Sequence, residues 1–252
     1  MKTPTRSTLI AAVTLVWATT AAAQGLYWES TTTGIGHEPR MSKMYAMPKM
    51  LKIVHPDGKV MIIRSDQDKF YSVDPTRQTY REIGKAELET TSKALQDQMQ
   101  KLRERMKDLS PEQRAMMEKM MPPQPGEAAK PVVVKDTGET KSINGLTCRK
   151  YVAIQDGKTV LVAWTTNEVK GFAPLRDDWL SYQRRLTSTN PMLGSTVTEA
   201  YAKIDGFPME TDMGEVKTVV TKVESRRTPA SEFEVPAGYK KEALNLPKPP
   251  PQ

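Results

Sequence analysis

The chain has 252 residues, of which 38% are hydrophobic and 27% charged, and its formal net charge is +7. This length and composition are typical of a folded protein with one large domain or two small ones, and they argue against disorder throughout. The single Cys excludes a disulfide within the chain and a metal site built from several thiolates, and the two His exclude most zinc centres built from histidines.

Residues 1–23 have the three parts of a secretory signal peptide. Lys2 and Arg6 are followed by an apolar stretch over residues 9–18, which is too short to span a bilayer, and then by three small alanines. We predict cleavage before Gln24 and a mature chain in the periplasm without a transmembrane anchor. An uncleaved N-terminal anchor is the alternative.

The charge of the mature chain is modest. Cleavage lowers it from +7 to +5, since 35 basic residues remain against 30 acidic ones. The basic residues are interleaved with acidic residues and form no block, which argues against a nucleic-acid partner. Attraction to an anionic membrane surface stays open.

Short β-rich runs separated by turn residues begin at Tyr27 and end at Ile83. Asp57-Gly58 lies between two of them and is typical of a hairpin turn. Consecutive strands joined by tight turns predict an antiparallel meander, because parallel neighbours need long crossovers. The clearest predicted strands are 50–54, 59–64, 69–73 and 78–83.

A helical insertion is predicted over residues 85–131, between two blocks of sheet. Its first helix carries apolar residues three, four or seven positions apart, which places them on one face. Ser110, Pro111 and Gln113 begin a second helix with a capping box, and the prolines after Met121 end it. The apolar residues of the first helix are Leu88, Leu95, Met99, Leu102, Met106 and Leu109.

The second block of sheet begins at residue 132. Asp156-Gly157 predicts another hairpin, and Leu175, Trp179, Tyr182 and Leu186 mark one face of a short helix. The further predicted strands are 132–134, 150–154, 159–164, 197–204 and 216–223. We interpret residues 24–244 as one domain and the Pro-rich residues 245–252 as an extended, frayed tail.

The sequence contains none of the common catalytic motifs, such as Gly-x-Ser-x-Gly, His-Glu-x-x-His, a phosphate-binding Gly loop or Cys-x-x-Cys. His37 and His55 lie in predicted turns without a plausible catalytic partner nearby. We therefore predict no enzyme activity and no cofactor, although paired carboxylates brought together by the fold stay possible.

Cys148 lies at the entry to a predicted strand. In an oxidising compartment an exposed thiol is a liability, so we predict a buried, inert side chain that faces the inner surface of the sheet. A disulfide between two chains is the alternative.

Met41, Met44, Met47 and Met50 recur at intervals of three. Thioether sulfurs are soft ligands suited to Cu(I), so these residues form a candidate metal site. On a strand, however, this spacing alternates between the two faces of the sheet, and Met is also a common filler of apolar cores.

The apolar stripe of the first helix has two interpretations. As core, it packs against the sheet. As a binding surface, it lines a concave apolar cavity and moves to admit a lipid-like ligand. The candidate ligand-binding residues are Leu88, Leu95, Met99, Leu102 and Met106.

Segments within 60–83, 138–151 and 233–239, the last reading Phe-Glu-Val-Pro-Ala-Gly-Tyr, resemble an uncharacterised domain family of exported bacterial proteins. That family is similar to the LolA/LolB-like lipoprotein carriers. The resemblance implies an α+β fold with a strongly curved antiparallel sheet, a half-open barrel, whose concave face is covered by helices. It implies no catalytic residues.

Three hypotheses about function follow. In the first, a non-catalytic periplasmic protein binds a lipid or lipoprotein-like ligand or an envelope partner. In the second, the protein handles copper through the four methionines. In the third, it is an envelope stress or scaffold protein whose long helix docks on another protein.

Overall fold

One continuous sheet of twelve strands dominates the computed structural model of the protein. The described residues are 24–34, 38–120, 131–189 and 195–243. The predicted signal peptide, residues 1–23, the predicted turn at His37, the prolines after Met121 and the predicted tail, residues 245–252, lie outside them.

The strands follow the chain as two antiparallel blocks. The first block contains β1 (Gln24–Thr33), β2 (Arg40–Met47), β3 (Met50–Val54), β4 (Val60–Arg64), β5 (Lys69–Asp74) and β6 (Thr79–Gly84). The second contains β7 (Val133–Ile143), β8 (Leu146–Gln155), β9 (Lys158–Thr166), β10 (Phe207–Asp212) and β11 (Lys217–Arg227), and the short β12 (Lys240–Lys241) returns to the edge of the first block. The order in the sheet is β12-β6-β5-β4-β3-β2-β1-β11-β10-β9-β8-β7, and only β12 and β6 pair in parallel. The predicted antiparallel sheet is confirmed, and its first and last strands do not pair with each other.

Tight turns of the predicted chemistry join neighbouring strands. Asp156 and Gly157 both have positive φ, at 57° and 73°, and so do Asn144 and Gly145, at 51° and 79°. Two consecutive residues of this kind form the two-residue turn whose twist matches that of paired strands. These turns fix β8 between β7 and β9.

Four helices accompany the sheet in the described residues. They are α1 (Lys85–Met106), α2 (Pro111–Met120), α3 (Arg176–Thr189), which follows a 3₁₀ turn at Ala173–Leu175, and α4 (Ser195–Ala202). The predicted capping box of α2 is present. The backbone N–H of Gln113 donates to the Ser110 hydroxyl, and the backbone N–H of Ser110 donates to the Gln113 side-chain oxygen. No helix in the described part of the chain has the length and apolar character needed to cross a membrane.

The strand predicted over residues 197–204 is wrong, because this segment forms α4 and the turn after it. Val197, Ala200 and Ile204 are three and four positions apart, which is a helical spacing, and Ala200 and Ile204 are buried. The β-branched residues of the segment favoured a strand, but packing of α4 against β9 decides the outcome.

The sheet curves strongly around the segment that leads into α3. The Phe172 ring meets the Phe207 ring of β10 with centroids 5.0 Å apart, while the Tyr182 hydroxyl lies 3.9 Å from the Met61 Sδ of β4. Four strands separate β10 from β4 in the sheet order. A flat sheet places such strands far apart, so contact of both with one short segment requires curvature.

The two faces of the first block carry different apolar clusters. On the inner face, register places Leu26, Ala46, Leu51, Ile63 and Phe70 opposite one another across β1 to β5. The alternate residues face outward, and there Met47, Ile62 and Val73 pack around Phe233. A C-terminal strap, residues 228–241, covers this outer cluster.

Candidate functional site

An apolar cleft lies between the inner face of β1 to β4 and the segment of chain at the start of α3. The sheet supplies Leu26, Trp28, Ala46, Leu51 and Ile63, and the covering segment supplies Phe172, Leu175, Trp179 and Tyr182. These residues are apolar or aromatic, and most are buried in one cluster. The cleft therefore offers mainly dispersion contacts to whatever enters it.

The spacing of residues in the covering segment places its large side chains on one face. Leu175, Trp179 and Tyr182 follow one another at intervals of four and three, and all three line the cleft. The sequence predicted this face correctly for these residues, whereas the side chain of Leu186 lies outside the described ones. The Phe172 and Trp179 rings pack edge to face with centroids 6.2 Å apart.

Polar groups gather at one rim of the cleft. The Lys49 amide N–H donates to the Asp178 Oδ2 at 2.8 Å, and the Ser65 N–H donates to the Lys49 carbonyl at 2.8 Å. Lys49 forms the β2–β3 turn with a φ of 62°. This rim joins the start of α3 to a hairpin and is the polar end of an otherwise apolar cleft.

The cleft is nearly closed. Its cavity volume is about 20 Å³, roughly the space that one water molecule needs. Tyr182 closes the inner end, where its hydroxyl approaches the Met61 thioether, a weak acceptor. Burial raises the pKa of Tyr182 above its ordinary value. A ligand larger than water requires α3 to move away from the sheet.

The predicted ligand-binding stripe on α1 lies elsewhere. Met106 is buried, Met99 is half-buried and Leu102 is 40% exposed, and the side chains of Leu88 and Leu95 lie outside the described ones. No described side chain of the stripe lines the cleft. Helix α1 instead contacts β6 and α3, so its part in ligand binding stays a prediction.

The four methionines are distributed over different surroundings. Met41 is 51% exposed, Met44 packs against the inner cluster, and Met47 and Met50 belong to the outer cluster and also border the apolar cleft. Within β2 the period of three makes Met41, Met44 and Met47 alternate faces, whereas Met50 lies across the β2–β3 turn and pairs with Met47. Among the described residues, no group of three or more His, Cys, Asp or Glu side chains is arranged to hold a metal ion.

Cys148 is fully buried, in the same hydrophobic cluster as Trp28 and Phe207. The predicted burial is confirmed. Burial raises the pKa of the thiol, which keeps it protonated and unreactive at neutral pH.

The sheet side of the cleft was not predicted from the sequence. The sequence pattern did not identify Leu26 and Trp28 of β1 as residues of a ligand-binding site. It also did not identify Phe172, which lies before α3 on the covering side. In β1 the consecutive apolar residues Leu26, Tyr27 and Trp28 indicate a strand, but they do not tell which face of it a helix covers.

Several solved structures are similar to this chain. An uncharacterized conserved protein from Thermus thermophilus is 7% identical with a TM-score of 0.45, and the match covers 87% of this chain and 90% of that one. A putative outer membrane lipoprotein-sorting protein domain from Vibrio parahaemolyticus is 6% identical with a TM-score of 0.28, covering 85% and 90% of the two chains. A LolA superfamily protein from Nitrosomonas europaea is 7% identical with a TM-score of 0.25, covering 84% and 90%.

No curated protein matches the sequence. A family model does match it, over residues 106–239, a range that holds two of the three segments on which the predicted resemblance rests. These are the strand pair around Cys148 and the segment ending at Tyr239. The chain belongs to the family described as a domain of unknown function, DUF4412.

Proposed function

We propose that the mature protein binds an apolar ligand in the cleft under α3, without catalysis, after export to the periplasm. The observation that carries this proposal is the lining of the cleft: a continuous apolar surface from five inner-face residues and four covering residues, with polar groups at one rim. Such a site suits a ligand with an apolar body and a polar end. The role requires no nucleophile or general base.

Polar contacts between α3 and the first block of the sheet include the Lys49 to Asp178 hydrogen bond and the contact of the Tyr182 hydroxyl with Met61. One hydrogen bond contributes on the order of 1 kcal/mol. When α3 moves away from the sheet, the ligand takes the place of the sheet as its apolar partner, so binding offsets the cost of opening.

The apolar stripe on α1 supplies a second set of ligand contacts in this proposal. Because α1 contacts α3, we propose that α1 lies beside the space that opens when α3 moves away from the sheet. We propose that Met99 and Met106 contact the ligand in that open form, together with Leu88, Leu95 and Leu102. The adaptable Met side chains suit apolar ligands of variable shape.

The first test is native mass spectrometry of protein secreted to a bacterial periplasm and purified without detergent. We expect an added mass of lipid size, and saturable binding of the apolar dye N-phenylnaphthylamine that lauric acid displaces. A copper-sized addition would support the methionine hypothesis instead. A bare mass together with no saturable dye binding would contradict the proposal.

The second test fills the cleft. Ala46→Met adds volume at its floor and is expected to abolish dye binding. Ala153→Met is the matched control, because Ala153 is also buried but lies under α4 in a separate cluster. Overpacking lowers the free energy of unfolding of both variants by about 1–3 kcal/mol. A difference in dye binding between them therefore comes from filling the cleft. Equal dye binding by the two variants would contradict the site.

A further inference from the structure

A second cavity lies on the opposite face of the first block of the sheet. It is a recess between the C-terminal strap and β4 to β6, with a volume of about 270 Å³. Six of its eight lining residues carry polar groups. The lining residues are Arg64, Gln67, Tyr71, Tyr80, Glu82, Phe233, Glu234 and Val235. Unlike the inner cleft, this recess is open to a molecule larger than water.

Strand register explains why these side chains converge. Tyr71 of β5 stands opposite Glu82 of β6 and Ile62 of β4, and Arg64 is two positions from Ile62 on the same outer face. The strap then brings Glu234 to within 4.0 Å of the Arg64 Nη1. The recess is thus formed by two elements far apart in sequence.

The charged groups of the recess are held by partners at its edge. Arg64, only 8% exposed, donates two hydrogen bonds to Asp66, at 2.9 and 2.7 Å, which fixes the plane of its guanidinium. Glu82 pairs with Lys69 at 3.1 Å and Lys241 at 3.0 Å. Positive and negative groups therefore compensate each other around the cavity.

Two aromatic rings complete the lining. Tyr71 and Tyr80 lie on neighbouring strands with ring centroids 6.2 Å apart and planes inclined at 58°, and both are half-buried. The negative face of an aromatic ring attracts the weakly positive C–H groups of a neighbour. Ring faces and hydrogen-bonding groups thus border the same space.

We propose that this recess binds a neutral sugar. An anion meets two carboxylates there, and a cation meets the Arg64 guanidinium, so a charged ligand gains little. An apolar ligand would cover the charged groups of Arg64, Glu82 and Glu234 and remove their remaining contacts with water, which is costly. A sugar presents hydroxyl groups to Arg64, Glu82 and Glu234 and a C–H face to the tyrosines. The cavity volume is near the lower end, about 300 Å³, for small-molecule sites, which fits one sugar ring.

This site is independent of the proposed apolar cleft, because the two lie on opposite faces and share no lining residue. The experiment is saturation-transfer-difference NMR of the full mature protein with glucose, galactose, mannose, N-acetylglucosamine and N-acetylgalactosamine. We expect saturation transfer to at least one of them, and titration of that sugar gives the affinity. No transfer to any member of the panel overturns the proposal and leaves the apolar cleft untouched.

Matched variants locate the binding site. Glu234→Ala removes an acceptor in the recess and is expected to weaken sugar binding about tenfold. Its control is Glu232→Ala, two residues away, which removes a carboxylate that pairs with Lys52 outside the recess.

A second pair compares Tyr80→Leu with Tyr239→Leu, since both tyrosines pack on the outer cluster and only Tyr80 lines the recess. Equal loss in each pair, or no loss in Glu234→Ala and Tyr80→Leu, overturns the assignment. Thermal melting confirms that each variant is folded.

Discussion

The inner cleft and the outer recess lie on opposite faces of the first block of the sheet, where both use β4, but they differ in volume and polarity. Along β4, Ile63 faces the cleft while Arg64 faces the recess. Apolar side chains close the cleft to about 20 Å³, whereas ion-paired side chains border a recess of about 270 Å³. Apolar walls collapse on one another, while polar groups with fixed partners keep a hydrated space open.

The covers of the two sites also differ in how they are attached. Helix α3 contacts the first block through apolar side chains and the Lys49–Asp178 hydrogen bond. The strap is attached by backbone pairing of β12 with β6 and by ion pairs of the strap and of Glu242, the residue next to its end. These pairs are Lys52–Glu232 at 2.7 Å, Arg64–Glu234 at 4.0 Å, Arg77–Glu242 at 2.7 Å, Arg81–Glu242 at 3.1 Å and Glu82–Lys241 at 3.0 Å. We expect α3 to be the cover that moves, because the nearly closed cleft admits a ligand only when α3 leaves the sheet.

The largest expected effect is loss of the anchor of the strap. Phe233 is fully buried in the outer cluster, so Phe233→Ala should lower the free energy of unfolding by about 3–5 kcal/mol. Urea denaturation measures this change. The matched variant is Phe172→Ala, which truncates a buried ring of the segment that covers the inner cleft.

The pair of Phe variants tests whether the two sites are separate. Phe233→Ala should weaken sugar binding and leave dye binding intact, and Phe172→Ala should do the reverse. If either variant weakens both, the two faces are coupled and the contrast between them fails.

The next effect concerns alkaline pH and the inner cleft. Burial raises the pKa of Tyr182 in the folded state, whereas in the unfolded chain the phenol ionises near pH 10. Its contribution to stability is complete below that pH and is lost above it, by up to about 1.4 kcal/mol per pH unit. Tyr182→Phe should remove this loss when unfolding is compared at about pH 9 and about pH 11. Tyr80→Phe, which removes a hydroxyl group on the outer face, is the matched variant for comparison.

The smallest effect concerns acid pH and the outer recess. The Arg64 hydrogen bonds hold the pKa of Asp66 below its ordinary value. This contribution is therefore present above the unfolded-state pKa of about 4 and is lost as the pH falls through the folded-state value, by less than about 1 kcal/mol because the exposed carboxylate is screened by solvent. Asp66→Asn should flatten the decline in stability between neutral pH and about pH 3, measured by urea denaturation. Asp177→Asn, at an exposed carboxylate outside the recess, is the matched variant for comparison.

The hairpins were predictable because their signals are local. Asp57-Gly58 and Asp156-Gly157 tolerate the positive φ that tight turns need, and alternating apolar residues lie on both sides of them. The two helices after β6 were predictable for the same reason, since their apolar spacing and the cap at Ser110 are contained within a few turns.

Three elements depend on contacts that the local sequence does not show. Strand β10 was not predicted, because Pro208 weakens the signal even though Phe207, Met209 and Thr211 alternate inward. Strand β7 continues to Ile143 through exposed charged residues, because pairing with β8 extends it. Segment 197–204 became helical when its apolar face packed on β9.

Local sequence was enough to establish the alternation of strands and helices, the antiparallel pairing of neighbours and the burial of Cys148, because these depend on side-chain period, turn residues and hydrophobicity. Long-range packing alone established that β1 joins the two blocks, that α3 and not α1 covers the cleft, and that the strap completes the recess. These outcomes depend on which faces meet after the sheet curves. Contacts between residues as distant as Arg64 and Glu234 leave no periodic signal in the chain.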